Sequence, residues 1–319
     1  MNIKYIIIVL GEPFGTFSEI IGKYFKDKIS KEHKIIIVGN YDLLYGQLKI
    51  LNYNLKLNKI GDLNEAKLNF LNVYNINYKF KKFFIKNSAS ANKYINSCFN
   101  VSLKIISKIP DEAVLINGPV SKKTFLRKKF LGITEFLSKK THSKNEVMLI
   151  YNKNLSVSPV TTHLPLKEVA KKINKEKIIN NVLKINNFYK KKIRKIPKFA
   201  VLGLNPHCET IDKFSEEDKI ILPAIKILRK SRINIKGPFP ADTFFLKRDL
   251  KEYDVVVGMY HDQVLTPIKT LYNFNAINIT IGLPFIRISP DHGPNFDMMG
   301  ENKSDPSSLF YAMKFIKKL

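Results

Sequence analysis

Apolar and polar positions follow two rhythms along this chain. Short runs of β-branched and other apolar residues ("KYIIIVLG", "HKIIIVGN", "EAVLINGP", "EVMLIY", "LSVSPVTT", "KFAVLGLNP", "YDVVVGMY" and "NAINITIG") are separated by Lys-rich stretches with helical spacing. Apolar runs without alternation suit strands covered on both faces, as in a parallel sheet flanked by helices. The segments between them read as those helices. Tyr94, Cys98, Val101, Ile105 and Ile109 share one helical face within 88–109, and Ser215 followed by Glu216 opens another helix that continues to Lys230. This alternation predicts an α/β architecture. Region 51–87 is rich in Asn and Lys without a clean period, and is expected to be an irregular excursion of strands and loops.

Length changes this picture first. A chain of 319 residues exceeds what one core usually organises, so two lobes are expected. No apolar run approaches the ~20 residues needed to span a bilayer. The opening "MNIKYIIIVLGEPFG" runs into a Gly/Pro turn without a small-residue cleavage site, and reads as the first strand rather than a signal peptide. Two cysteines, Cys98 and Cys208, offer neither a disulfide framework nor metal-ligand spacing, which fits a reducing cytoplasm. The net charge of +27 invites a nucleic-acid reading, but the lysines are scattered and no binding motif accompanies them. The densest run, "YKKKIRKIPK", sits at a helix end before a strand, where the helix dipole favours cations.

The candidate chemistry lies just past strand ends. Three of the six histidines share that context: His163 in "SPVTTHLPL", His207 in "VLGLNPHCE" and His261 in "VVVGMYHDQ". Open α/β sheets bind ligands beyond the carboxyl ends of their strands. If these strands are neighbours, three imidazoles form the ligand set of an open metal site; otherwise they are three unrelated loop histidines. His33 and His142 read as solvated, and His292 is ambiguous. "INGPVSKKTF" could wrap an anion with backbone N–H groups, or be a plain Gly-Pro connection. Thr134 in "GITEFL" reads as a helix N-cap, and Lys269, Asn278 and Arg287 offer charge and hydrogen bonds to a phosphorylated or carboxylated substrate. "GEPFGTFSEI" after the first strand is not the dinucleotide fingerprint.

Taken together, "VTTHLPL", "GLNPH", "GPFPADTFF", "YDVVVGMYHDQVLTPIK" and "NITIGLPFIRISPDHG" strongly resemble the 4-hydroxythreonine-4-phosphate dehydrogenase family of pyridoxal phosphate biosynthesis, from "GEPFGTFSEI" to "DPSSLFYAM". The resemblance implies the two-lobed α/β/α fold of the isocitrate and isopropylmalate dehydrogenases, with the active site in the inter-domain cleft and NAD(P) bound without the Gly-rich fingerprint. The expected lobes are 1–115 with 275–319, and 116–274 carrying the histidines. Carried over, His163, His207 and His261 are ligands of a divalent metal (Zn²⁺, Mg²⁺, Co²⁺ or Mn²⁺), and Thr134, Lys269, Asn278 and Arg287 contact substrate. The implied reaction is oxidation of a C3 hydroxyl by NAD or NADP, followed by decarboxylation to 3-amino-2-oxopropyl phosphate. A homodimer is implied, each site drawing His163 and His207 from one chain and His261 from the other.

Asp242 in "PADTFF" is either a carboxylate that supports the ligands or accepts a proton, with Lys269 as its catalytic companion, or a turn residue after Pro240. Two features depart from the family: Ile133 stands where members carry a substrate-contacting His, and "NPHCETIDKFSEED" lacks the usual Gly-rich run. The rival readings are a sister enzyme acting on 4-phospho-D-erythronate or 4-phospho-D-threonate, and a metal-dependent hydrolase.

Overall fold

The computed structural model describes the chain except for residues 1–2, 28, 86–90, 122–123, 127–129, 131, 210–213, 247, 274 and 290–292. Its strands, in chain order, are β1 (Tyr5–Val9), β2 (Lys34–Gly39), β3 (Leu57–Ile60), β4 (Leu71–Asn75), β5 (Ala113–Asn117), β6 (Val147–Tyr151), β7 (Ser156–Pro159), β8 (Phe199–Leu202), β9 (Ile235–Phe239), β10 (Val255–Gly258), β11 (Ile277–Ile281) and β12 (Ile286–Ser289). The α-helices are α1 (Phe17–Phe25), α2 (Tyr41–Ile50), α3 (Ala91–Ile106), α4 (Ile133–Lys140), α5 (Leu166–Lys172), α6 (Lys175–Phe188), α7 (Leu222–Lys230), α8 (Ala241–Phe244), α9 (His261–Tyr272) and α10 (Ser307–Ile316).

The chain divides into two compact units, 1–143 with 283–319, and 144–282. In the first, the strand order is β3-β4-β2-β1-β5-β12, all parallel. Its central strands are fully buried on both faces, which is why Ile6–Val9 and Ile35–Val38 are unbroken apolar runs. Residues 116–143 pack with this unit and not, as expected from sequence, with the second. Leu126, Phe136 and Leu137 join Ile7, Val9 and Phe99 in one buried cluster, which pulls α4 onto the first sheet. "Irregular" region 51–87 yields β3 and β4, with Asn72 holding the two together: its side chain receives from Asn58 and donates to the Ile35 carbonyl.

The second unit has the order β11-β6-β7-β10-β8-β9. β6 runs antiparallel to both β11 and β7, while β7, β10, β8 and β9 are parallel. This places the carboxyl ends of β7, β10 and β8 side by side, and these are the strands that lead to His163, His261 and His207. The helix expected from Ser215 forms: Ser215 Oγ accepts from the Asp218 N–H, and the helix enters through a π turn at Glu217–Ile221 before α7. Among the described residues, no helix is long and apolar enough to cross a membrane.

Candidate active site

In the first unit the expected site residues meet at Arg287. It lies on β12 opposite Leu115 of β5, so Asn117, two residues further along β5, faces the same side. Its Nε donates to Asn117 Oδ1 at 2.8 Å, and its Nη1 donates to Thr134 Oγ1 at 3.1 Å. The side chain is completely buried, and burial pushes its pKa down to about 10, against the upward pull of Glu135. It therefore stays cationic at neutral pH, oriented by two neutral oxygens. Thr134 is not the N-cap that its sequence suggests. Gly132 occupies that position, Ile133 begins α4, and Thr134 is the second helical residue, its hydroxyl committed to Arg287. Ile133 packs against the apolar cluster that contains Phe99 and Phe136.

The "INGPVSKKTF" loop differs from an open anion cradle. The Gly118 N–H bonds to the Val9 carbonyl, and the Ser121 N–H donates to Glu12 Oε1 at 3.3 Å; Lys122 and Lys123 lie outside the described residues. Burial raises the pKa of Glu12, opposed by hydrogen bonds from Ser121 and Thr124. His33 is not solvated as expected: it is half-buried, and its Nδ1 bonds to the Ile3 carbonyl at 2.7 Å. His142 is exposed, and His292 lies outside the described residues.

In the second unit the structure brings His163 and His261 together, with ring centroids 5.5 Å apart. His261 is the first residue of α9, and its Nδ1 meets Asp262 Oδ1 at 2.7 Å. A carboxylate only accepts, so Nδ1 carries the proton and a neutral ring leaves Nε2 as the ligating nitrogen. That carboxylate–histidine arrangement is the one metal-binding histidines adopt, so this pair fits a divalent ion on donor chemistry. His207 is exposed, on the loop after β8, with a left-handed φ of 56° followed by another of 61° at Cys208. Among the described residues, no three His, Cys, Asp or Glu side chains converge as a metal site.

The other expected residues of this unit lie on α8, α9 and β11. Asp242 is exposed in the first turn of α8, and its charge is felt at Cys208, beside His207. Lys269 is exposed on α9, one turn after the buried Leu265. Asn278 lies on β11 with its Oδ1 buried and lacking a hydrogen-bond partner, an acceptor available to a ligand donor. Sequence reasoning missed Asn117 and Glu217. Asn117 carried the same signal as His261, a polar residue ending an apolar strand. Glu217 is 1% exposed; its Oε1 accepts from the N–H groups of Leu204 and Asn205, and its Oε2 from the Asn205 amide. Burial alone would raise its pKa, but these bonds pull it below the ordinary carboxylate value.

Two parallel-rich α/β units, the second with His163 and His261 paired beyond its strand ends, have the fold type of the isocitrate dehydrogenases. The isocitrate dehydrogenase of Methylococcus capsulatus shares that fold, with a TM-score of 0.51 over 99% of this chain and 85% of that one, at 9% identity. The chain belongs to the family described as pyridoxal phosphate biosynthetic protein PdxA, whose sequence signature matches residues 31–316. It is 37% identical over 315 residues to a 4-hydroxythreonine-4-phosphate dehydrogenase of Sulfurihydrogenibium sp. (strain YO3AOP1), covering 96% of this chain and 95% of that one. It is 29% identical to a D-threonate 4-phosphate dehydrogenase of Salmonella typhimurium (strain LT2), across 100% of both. A crystal structure of 4-hydroxythreonine-4-phosphate dehydrogenase from Klebsiella pneumoniae has a TM-score of 0.83 at 28% identity, covering 98% of this chain and 99% of that one.

Proposed function

We propose that the chain oxidises the C3 hydroxyl of 4-phosphohydroxy-L-threonine, with NAD(P)⁺ accepting the hydride, in the cytoplasm. The β-keto acid so formed loses CO₂ to leave 3-amino-2-oxopropyl phosphate. The observation that carries this reading is near full-length similarity, at 37% identity, to a relative named for that activity. His163, His207 and His261 would hold a divalent ion (Zn²⁺, Mg²⁺, Co²⁺ or Mn²⁺), which when bound supplies Lewis acidity where charge builds on oxygen. Asp262 fixes the His261 tautomer for that role. Arg287, oriented by Asn117 and Thr134, supplies a preorganised planar fork for a carboxylate or phosphate. Lys269 adds a second cation, Asn278 Oδ1 accepts from a substrate donor, and Asp242 is the candidate proton acceptor.

The same proposal includes a homodimer with shared sites, His163 and His207 coming from one chain and His261 from the other. His163 and His261 of one chain lie side by side, so sharing requires the two chains' pairs to meet near the dimer axis. The His261 side chain is 31% exposed, which leaves its Nε2 able to face a second subunit.

A second reading, oxidation of D-threonate 4-phosphate, is favoured by the full-length relative of that name. The test is reduction of NAD⁺ and of NADP⁺ with each phosphorylated acid, before and after chelation and with divalent metal restored. The first reading requires the highest kcat/KM for the threonine derivative and dependence on metal. A higher value for D-threonate 4-phosphate selects the second. No nicotinamide signal with either acid rejects both and returns the metal-dependent hydrolase.

A further inference from the structure

The loops that carry the three histidines are joined by side chains that neither bind substrate nor ligate metal in the proposal above. Gln263, in the first turn of α9, is 8% exposed. Its Oε1 accepts from the Met259 N–H at 2.6 Å, and its Nε2 donates to the Gly203 carbonyl at 2.7 Å. One amide therefore spans from the loop before His261 to the loop before His207. The other side of the same peptide region is held as well: Thr161, two residues before His163, sends its Oγ1 to the Met259 carbonyl at 2.7 Å and its N–H to the same oxygen at 3.2 Å. Glu217 continues the frame by receiving the N–H groups of Leu204 and Asn205.

Gly258 shows that this space is built for the amide. A Cβ on Gly258 would stand 2.9 Å from Gln263 Oε1 and 2.5 Å from Val264 Cγ1, so a side chain there would evict the amide or shift α9. Gln263 has no freedom to exchange its two ends, because its oxygen faces an N–H and its nitrogen a carbonyl. Histidine ligands need their supporting shell held to within about 0.5 Å of the productive arrangement.

We propose that Gln263 is a positioning residue: its amide fixes the His207 loop against the His261 loop, and through Met259 and Thr161 against the His163 loop, so that the metal histidines each chain contributes to the shared sites keep one spacing. The inference rests on the three-histidine reading. Its consequence concerns metal affinity rather than folding, because an outer support that orients ligands typically changes affinity about 10–100-fold.

The test uses full-length protein and Co²⁺ alone, with affinity measured by chelator competition and ligand geometry by the visible absorption of the bound ion. Gln263→Met keeps length and removes both hydrogen bonds; Gln263→Glu keeps the acceptor and turns an oxygen toward the Gly203 carbonyl. Asn152→Ala removes a hydrogen bond to the Asn275 carbonyl at the opposite end of the strands, and controls for general destabilisation. The expected result is Co²⁺ binding weakened about 10–100-fold, with an altered spectrum, in both Gln263 variants, and near wild-type binding in Asn152→Ala at a comparable loss of Tm. Faster hydrogen exchange at the Met259 amide should accompany it, and serves as the readout if one variant folds poorly. A folded Gln263→Met protein with affinity within about twofold of wild type overturns the proposal, since that lies outside the range expected of an orienting partner. If His207→Ala also binds Co²⁺ like wild type, the three-histidine reading itself falls and the frame with it.

Discussion

Arg287 Nη1 donates to Thr134 Oγ1 across 3.1 Å, joining β12 to the first turn of α4 at a point that solvent does not reach. A buried guanidinium keeps its orientation only while its acceptors remain, since truncating one leaves donors without a partner. Thr134→Val, which keeps the shape and removes the acceptor, should raise KM for the phosphorylated substrate about fivefold to tenfold, roughly 1–1.4 kcal/mol, with kcat little changed. Steady-state kinetics decide it. An unchanged KM would mean that Arg287 keeps its orientation without Thr134.

Asp262 is 81% exposed, so solvent screens its hold on His261 Nδ1. Asp262→Ala should therefore weaken divalent-metal binding toward the low end of the range for such partners, about tenfold, while Asp262→Asn recovers most of it through the remaining acceptor oxygen. Competition titration with a chromophoric chelator gives both values. Equal affinities for wild type and Asp262→Ala would remove Asp262 from the site.

Glu12 makes a pH prediction. Burial raises its folded pKa above the ordinary 4.5, so the protonated form is the one that favours folding. That contribution is complete below pH 4.5 and is lost as pH rises through the raised value. Glu12→Gln is permanently neutral and keeps an acceptor for Ser121. Its Tm relative to wild type should climb between pH 4.5 and pH 8, measured by calorimetry in matched buffers. A constant difference would show that the folded and unfolded carboxyls titrate alike.

Ile133 fills apolar space beside the cluster containing Phe136. Ile133→His places a ring donor at the start of α4, next to Thr134. If the site takes the threonine phosphate, kcat/KM for it should rise by about 1–2 kcal/mol, or roughly fivefold to thirtyfold, at some cost in Tm from lost packing. No change, or a loss, would mean that the pocket is built around the apolar side chain.

The shared site is read by complementation. His163→Ala and His261→Ala proteins are each expected to be inactive, and a mixed dimer gathers both lesions in one site while leaving the other whole. Co-refolding equal amounts should restore about a quarter of wild-type activity, because about half the dimers are mixed and each keeps one good site. Recovery near zero with mixed dimers confirmed by mass would place His163 and His261 of one chain in one site.

The legible parts of this fold were those where burial dictates residue type. β1, β2, β5 and β10 are buried on both faces and stand out as apolar runs, while β3 and β4 carry Asn and Lys among their apolar residues and hide in the pattern. β12 escaped because Arg287 interrupts its apolar run, and β9 because Lys236, Gly237 and Pro238 break its own. The histidines announced themselves by following strands. Glu217 did not, because its partners are backbone N–H groups of a loop that lies 12 to 13 residues away in sequence. Thr134 reads as the cap but sits two residues inside it, since Gly132 leaves no side-chain mark of the true cap.

The first unit is interrupted in sequence: its chain stops at Ser143 and resumes at Leu283. During synthesis, therefore, the ribosome must make all of 144–282 before β12 exists. Until then β5 has β1 on one side and an unsatisfied row of backbone groups on the other, and Asn117 and Thr134 await the guanidinium that will bridge them. An open parallel edge of that kind is a surface for wrong pairings. The nascent chain thus depends on its last segment to seal the sheet that its first segment began.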